Sequence, residues 1–224
     1  MGRFKRSCTE AGPAPMSACA IERGSRIAGL SGLRRLLSLA LLPLAILVFD
    51  TRISTAMASA DPWVALRSGG HLVLMRHAIA PGVGDPAGFE VKDCATQRNL
   101  SEEGRTQARA IGAMFRSNGV SAALVYSSQW CRCLETARLL ELGAVQELSA
   151  LNSFFDGRDQ ARAQTDATRA WIKRAPLTTP TVLVTHQVNI TALTGYTPQS
   201  GEIVVVKRGP SGALSVVGTV RTAQ

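Results

Sequence analysis

Short apolar runs alternate with segments of helical periodicity along residues 61–224, and this alternation restricts the fold more than any other feature of the sequence. Three of the runs predict buried strands: His71–Met75, Ala122–Tyr126 and Thr181–Thr185. Strands that alternate with helices form a mostly parallel sheet that is covered on both faces. We therefore predict an α/β fold, a three-layer α/β/α sandwich.

The segments between and after these strands predict the remaining elements. Helices are expected from Ser101 to Asn118, from Ser127 to about Leu142, and over residues 161–173. Residues 78–98 are rich in Gly, Pro and Asp and predict a long loop. Two β runs joined by a Gly-Pro-Ser-Gly turn predict a C-terminal β-hairpin: Glu202–Arg208 and Leu214–Val220.

The first 60 residues have the pattern of a targeting segment. Leu36–Phe49 is uncharged and mostly apolar, follows Arg34 and Arg35, and precedes small residues that end at Ala60. A basic flank, a short apolar core and small residues around a cleavage site are typical of a secretory signal. A helix over the apolar core would span roughly 21 Å, short of the ~30 Å hydrocarbon core, so a transmembrane anchor is the less favoured alternative.

We therefore predict that residues 1–60 are an export signal, cleaved near Ala58 or Ala60, and that residues 61–224 are the mature domain. The protein is then expected in the periplasm or outside the cell, with membrane contact only through an uncleaved signal. The sequence makes no prediction about oligomeric state.

The charge distribution indicates the class of ligand. The chain has a net charge of +9, but residues 61–224 hold 17 basic and 13 acidic side chains, dispersed along the segment. A nucleic-acid-binding surface needs a basic stripe or a patch interleaved with aromatic residues, so nucleic acid is not an expected partner. A small anionic substrate agrees better with this modest positive charge.

Basic and imidazole side chains follow each of the three predicted strands. Arg76-His77 follows the first strand, the segment ending at Arg132 follows the second, and His186 follows the third. The carboxyl ends of parallel strands meet at one edge of a sheet, where ligands bind. The planar fork of Arg matches phosphate oxygens, and a neutral imidazole is able to attack phosphorus. The sequence therefore predicts a phosphate-binding pocket.

Four ordered segments resemble motifs of the histidine phosphatase, or phosphoglycerate mutase-like, superfamily: Leu72–Ala78, Asn99–Ala108, Ser127–Ala137 and Val182–His186. Gln187 stands where the second branch of this superfamily carries Asp, so the resemblance is to the first branch. It implies a phosphatase that hydrolyses small phosphorylated substrates without a metal or another cofactor. The alternatives are a phosphoglycerate mutase-type phosphotransferase and a non-catalytic phosphate-binding module on the same fold.

The resemblance also implies roles for individual residues. His77 would be the nucleophile that forms a phosphohistidine. The phosphoryl group would be bound by Arg76, Arg132 and His186. A mutase would need cytoplasmic sugar-acid phosphates, which the export signal argues against, and a binding module would not need a nucleophile at His77.

The proton donor for the leaving group is the least determined role. The first branch often carries a Glu some two dozen residues beyond the second Arg, and Asp156 lies nearest to that spacing after Arg132. Glu147 is the competing candidate. We predict Asp156 as the acid on spacing alone.

Three cysteines, Cys94, Cys131 and Cys133, remain after removal of the predicted signal. In an oxidising compartment they favour a disulfide over a metal site. Cys94 lies in the loop that follows His77, and this loop and the Arg132 segment should border the same pocket. We predict a disulfide between Cys94 and either Cys131 or Cys133.

Overall fold

The computed structural model describes residues 61–222. The predicted export signal and its cleavage site lie outside the described residues. The described residues form five α-helices: α1 (Pro62–Arg67), α2 (Glu102–Ser117), α3 (Cys131–Leu139), α4 (Ala161–Arg174) and α5 (Gln187–Thr194). None of the helices in residues 61–222 has the length and apolarity needed to cross a bilayer.

A single six-stranded sheet forms the middle layer. Its strands are β1 (His71–Arg76), β2 (Leu124–Ser127), β3 (Val145–Glu147), β4 (Thr181–Thr185), β5 (Ile203–Arg208) and β6 (Leu214–Val220). Their order is β3-β2-β4-β1-β5-β6. The first four strands in this order pair in parallel, while β5 is antiparallel to β1 and to β6. The predicted mostly parallel sheet and C-terminal hairpin are confirmed.

Alternate residues of β1 pack into two separate apolar cores. Val73 and Met75 lie in the core that includes Ile111 and Phe115 of α2. Leu72 and Leu74 lie in the other core, with residues of α4 and α5. Successive strand side chains point to opposite faces of a sheet, so the two cores lie on its two faces. The three-layer α/β/α architecture is therefore confirmed.

Several boundaries differ from the sequence prediction. β2 begins at Leu124 rather than Ala122, and β5 begins at Ile203 rather than Glu202. The predicted extent of the helix after β2 was wrong at both ends, because α3 spans only Cys131–Leu139. Beyond it, Glu141 has a φ of 53°, in the left-handed region that an α-helix excludes.

Three of the α-helices and strands were not predicted: α1, β3 and α5. β3 is a short edge strand whose residues are half-buried or exposed, so it lacks an apolar run. α5 has buried Asn189, Ile190 and Leu193 but no regular polar face. α1 is a single short helix that starts with Asp61 accepting a hydrogen bond from the Trp63 N–H and with Pro62 in its first turn.

Candidate active site

The parallel pairing of β1 with β4 brings the two strand-end histidines together. Arg76 is in register with Thr185, so His77 and His186 follow directly from paired positions. Their ring centroids lie 5.6 Å apart. β2 lies on the other side of β4 and leads into α3, which carries Arg132. The predicted nucleophile and the three predicted phosphate ligands all line one cavity of about 140 Å³.

His77 is buried, with 2% of its surface exposed. Its Nδ1 donates to the Ala78 carbonyl oxygen over 2.8 Å. The Ala78 peptide is itself fixed, because its N–H donates to Thr136 Oγ1 over 3.0 Å. With the Nδ1 proton engaged, the neutral ring has its lone pair on Nε2. Burial, followed by the charge of Arg132, lowers the pKa of His77 well below its usual value, so the ring is neutral at neutral pH.

His186 is held by a hydroxyl group and an indole ring. Its Nε2 lies 2.9 Å from Ser128 Oγ, and Ser128 in turn contacts Asn152 Oδ1 at 3.3 Å. The Trp130 ring packs edge-on, with its centroid 5.4 Å from that of His186. Burial, followed by the proximity of His77, lowers the pKa of His186 well below its usual value. Ser128 thus orients a second neutral imidazole beside the first.

Arg76 and Arg132 each present a buried Nε–H that has no hydrogen-bond partner among the described residues. Buried polar groups are almost always paired, and an unpaired donor costs about 1–3 kcal/mol or more when charged. Two such donors in one cavity, beside two imidazoles, indicate a site that binds an anionic oxygen group.

Two further charged residues of the cavity, Asp85 and Arg98, were missed by the sequence analysis. Both belong to the loop after β1, which has no periodicity from which contacts could be inferred. Arg98 donates from Nε to the Gly84 carbonyl oxygen over 2.7 Å and from Nη1 to Ala80. Its position directly before the Asn99–Ala108 segment was the available signal. The site therefore has three arginines rather than the two predicted.

Asp85 forms a bidentate ion pair with Arg132, with distances of 2.7 Å from Oδ1 to Nη1 and 3.0 Å from Oδ2 to Nη2. Both side chains are 3% exposed. Burial by itself raises the pKa of Asp85, but the hydrogen bonds and charge of Arg132 outweigh it, so the pKa is lowered. Asp85 is therefore an ionised carboxylate and a poor proton donor.

The two candidate acids lie in different places. Asp156 is exposed and lines the cavity that holds His77. Glu147 lies at the end of β3, accepts a hydrogen bond from Gln129 Nε2 over 3.2 Å, and lines a neighbouring cavity instead. Asp156, and not Glu147, therefore lines the cavity of the two histidines.

A disulfide joins the loop after β1 to the start of α3. It links Cys94 to Cys131, with a Cα–Cα distance of 5.6 Å, and Cys133 is free and buried. Of the two pairings left open by the sequence, the structure contains the one with Cys131. The bond lies next to Arg132 in sequence and ties the Asp85–Arg98 loop to the helix that carries this arginine.

We expect the free energy of unfolding to fall as the pH is lowered below about 6.5. His77 and His186 have lowered pKa values in the folded state, whereas in the unfolded chain they bind protons below that pH. The unfolded state then binds more protons, so acid destabilises the fold, by up to ~1.4 kcal/mol per pH unit for each histidine.

Urea unfolding at pH 7.5 and pH 5.0 measures this dependence. The double variant His77→Asn, His186→Asn should lose much less stability between the two pH values than the wild type. An equal loss in both proteins would contradict the pKa directions, because carboxylates contribute alike to both.

Known proteins resemble this chain in one sequence segment and in the fold. Residues 72–156 match the model of the histidine phosphatase superfamily (branch 1). A search of curated proteins found no match. Among solved structures, the protein histidine phosphatase SixA complexed with tungstate is 17% identical, with a TM-score of 0.50, over 67% of this chain and 96% of that chain.

Two other solved structures are similar to comparable degrees. A putative phosphohistidine phosphatase SixA from Nakamurella multipartitia is 23% identical, with a TM-score of 0.49, over 69% of this chain and 96% of its own. A mycobacterial glucosyl-3-phosphoglycerate phosphatase is 17% identical, with a TM-score of 0.47, over 69% of this chain and 97% of that chain. Residues 72–156 are therefore similar to branch 1 of the histidine phosphatase superfamily, and the fold that contains them is similar to that of the SixA structure.

Proposed function

We propose that the protein is an exported, metal-independent phosphomonoester hydrolase that acts through a phosphohistidine on His77. The observation that carries the proposal is the pair of buried, unpartnered Nε–H groups of Arg76 and Arg132 beside an unprotonated His77. A phosphoryl group supplies the oxygens that these donors lack. A site for phosphate binding alone would not require a neutral nucleophile facing the bound phosphorus.

In the first step the Nε2 lone pair of His77 attacks phosphorus, and the ester P–O bond breaks. The electron pair leaves with the ester oxygen, which takes a proton from Asp156. Negative charge on the phosphoryl oxygens is stabilised by the guanidinium groups of Arg76, Arg98 and Arg132. Preorganised cations in a buried site are effective because they need no rearrangement during the reaction.

In the second step water attacks the phosphohistidine, the Nε2–P bond breaks, and inorganic phosphate is released. Asp156, now ionised, takes a proton from the attacking water. Division of hydrolysis into two transfers replaces one difficult step by two easier ones. His186, held by Ser128, lies beside His77 and contacts the phosphoryl group throughout.

Export is supported by the pattern of residues 1–60 and by the cysteine chemistry. The Cys94–Cys131 disulfide is of a kind that persists in oxidising compartments and is rare in the cytosol. Sequencing of the exported protein from its N-terminus should begin at Ser59 or Asp61. Full-length protein in the cytosolic fraction would contradict export.

Turnover of 4-nitrophenyl phosphate in the presence of a chelator tests the reaction itself. We expect the same rate with and without the chelator, and a labelled, acid-labile phosphoryl group on the peptide that contains His77 after rapid quenching. A requirement for added divalent metal, or a label on another residue, would contradict the proposed mechanism.

Asp156→Asn tests the identity of the acid. General acid catalysis contributes about 10²–10⁴-fold, and nitrophenolate leaves without such help, so we expect a large loss in kcat on an alkyl phosphate and a small loss on 4-nitrophenyl phosphate. Asp159→Asn, in the exposed turn Arg158–Gln160, is the matched control. An equal loss on both esters would indicate a binding role, and no loss would remove Asp156 from the mechanism.

A further inference from the structure

The ion pair between Asp85 and Arg132 restricts which N–H groups of Arg132 remain for a ligand. A guanidinium group has five N–H donors. Nη1 donates to Asp85 Oδ1 over 2.7 Å and to the Arg98 carbonyl oxygen over 3.2 Å, and Nη2 donates to Asp85 Oδ2 over 3.0 Å. Two donors remain, the Nε–H and the second N–H of Nη2. These two lie on the same edge of the planar group and form a second fork.

Asp85 is itself held by partners on two other segments. Oδ2 accepts from Trp130 Nε1 over 3.0 Å, and Oδ1 accepts from the Arg98 backbone N–H over 3.1 Å. The carboxylate therefore accepts four hydrogen bonds, and its side chain is 3% exposed. These four hydrogen bonds fix the Asp85 carboxylate as a permanent part of the cavity wall.

We propose that Asp85 is a positioning residue that fixes Arg132 so that its Nε–Nη2 edge faces the transferring phosphoryl group. The unpartnered Nε–H of Arg132 is the donor that this arrangement keeps free. Bidentate contact between a guanidinium group and phosphate depends on orientation in the plane. Asp85 supplies this orientation without contacting the substrate.

The proposal rests on the proposed function and predicts a separation of kcat from KM. In Asp85→Asn an amide NH₂ donor replaces one carboxylate oxygen and faces the donor N–H groups of Arg132 or Trp130. The bidentate pair with Arg132 is then lost, while the volume of the side chain is kept. Small errors in the placement of a catalytic group reduce rates by up to about 10²-fold. We expect kcat on 4-nitrophenyl phosphate to fall about 10- to 100-fold, with KM changed by less than about threefold.

Asp93→Asn is the matched control, because Asp93 lies in the same loop, is exposed, and caps the turn at Ala95. It should leave kcat unchanged. Trp130→Phe removes only the indole donor to Asp85 and keeps an aromatic ring against His186. Trp130→Phe should also lower kcat, by a smaller factor than Asp85→Asn does. It tests the proposal if Asp85→Asn does not fold.

A double-mutant cycle between Asp85→Asn and Arg132→Lys tests whether Asp85 acts through Arg132. In the Arg132→Lys background, Asp85→Asn should change kcat by less than about threefold, because no guanidinium edge remains to be oriented. The same cycle is measured on the affinity for inorganic phosphate by calorimetry, which requires no turnover. There the effect of Arg132→Lys on phosphate affinity should be smaller in Asp85→Asn than in the wild type.

The outcomes separate this proposal from the proposed function. Absence of wild-type turnover would contradict the hydrolase, while coupling in phosphate affinity would still support the role of Asp85. Additive effects in both cycles would overturn that role. So would a lower KM and tighter phosphate binding in Asp85→Asn with unchanged kcat, because those changes would show that Asp85 competes with the phosphoryl group for Arg132.

Discussion

Replacement of His77 by Asn is expected to reduce kcat on 4-nitrophenyl phosphate by about 10⁴-fold or more, the scale of losing a nucleophile that forms the covalent intermediate. Asn keeps a polar side chain of similar reach but cannot form the N–P bond. The bound substrate still meets the three arginines, so KM should change far less than kcat. Steady-state kinetics and rapid-quench labelling measure the two effects separately.

His71→Asn is the control for this substitution. His71 lies at the other end of β1 and contacts the Gly69 carbonyl oxygen through Nδ1 at 2.7 Å, and it does not line the cavity of His77. It should retain wild-type turnover and labelling. Residual turnover above one-tenth of wild type in His77→Asn would exclude a phosphohistidine at this position.

Replacement of Arg132 by Lys is expected to lower kcat by about 10²–10³-fold, the usual effect of removing one group that stabilises charge in the transition state. Lys keeps the charge, but its ammonium group cannot hold Asp85 in a bidentate pair and also present a fork to the phosphoryl group. Charge on the transferring group grows in the transition state, so the loss should fall on kcat more than on KM.

Arg138→Lys provides a matched control on the same helix. Arg138 is in the last turn of α3 and exposed, so the substitution should leave kcat unchanged. Circular dichroism and thermal unfolding show whether Arg132→Lys retains the fold despite the altered contact with Asp85. A folded Arg132→Lys protein with wild-type kcat would remove Arg132 from the site.

The strand-end part of the site could be predicted from sequence because each residue follows a strong β run directly. His77 and His186 come immediately after β1 and β4, whose buried residues give an unmistakable apolar signal. Parallel pairing then requires that the two ends meet. The position of Arg132 was less determined, because the helix that carries it begins four residues after β2 ends.

The loop part of the site could not be predicted, since its contacts are formed between residues far apart in an aperiodic segment. Asp85 reaches Arg132 across 47 positions of sequence, and neither residue type nor spacing indicates that pair. For the same reason Asp156 was favoured over Glu147 by its spacing from Arg132 alone. The path of the chain after β3 places Asp156 at the cavity of His77 and leaves Glu147 outside it. β3 itself was not predicted, because its residues are mostly polar.

The burial of Cys133 affects the chemical stability of the neighbouring disulfide. A thiol two positions from a disulfide would ordinarily exchange with it, and the attacking species in such exchange is the thiolate. Burial raises the pKa of Cys133 to about 12, so about one molecule in 10⁵ carries the thiolate at pH 7. In the folded chain Cys133 therefore does not exchange with the Cys94–Cys131 disulfide. Reduction of that disulfide requires an external reductant that reaches the exposed Cys94.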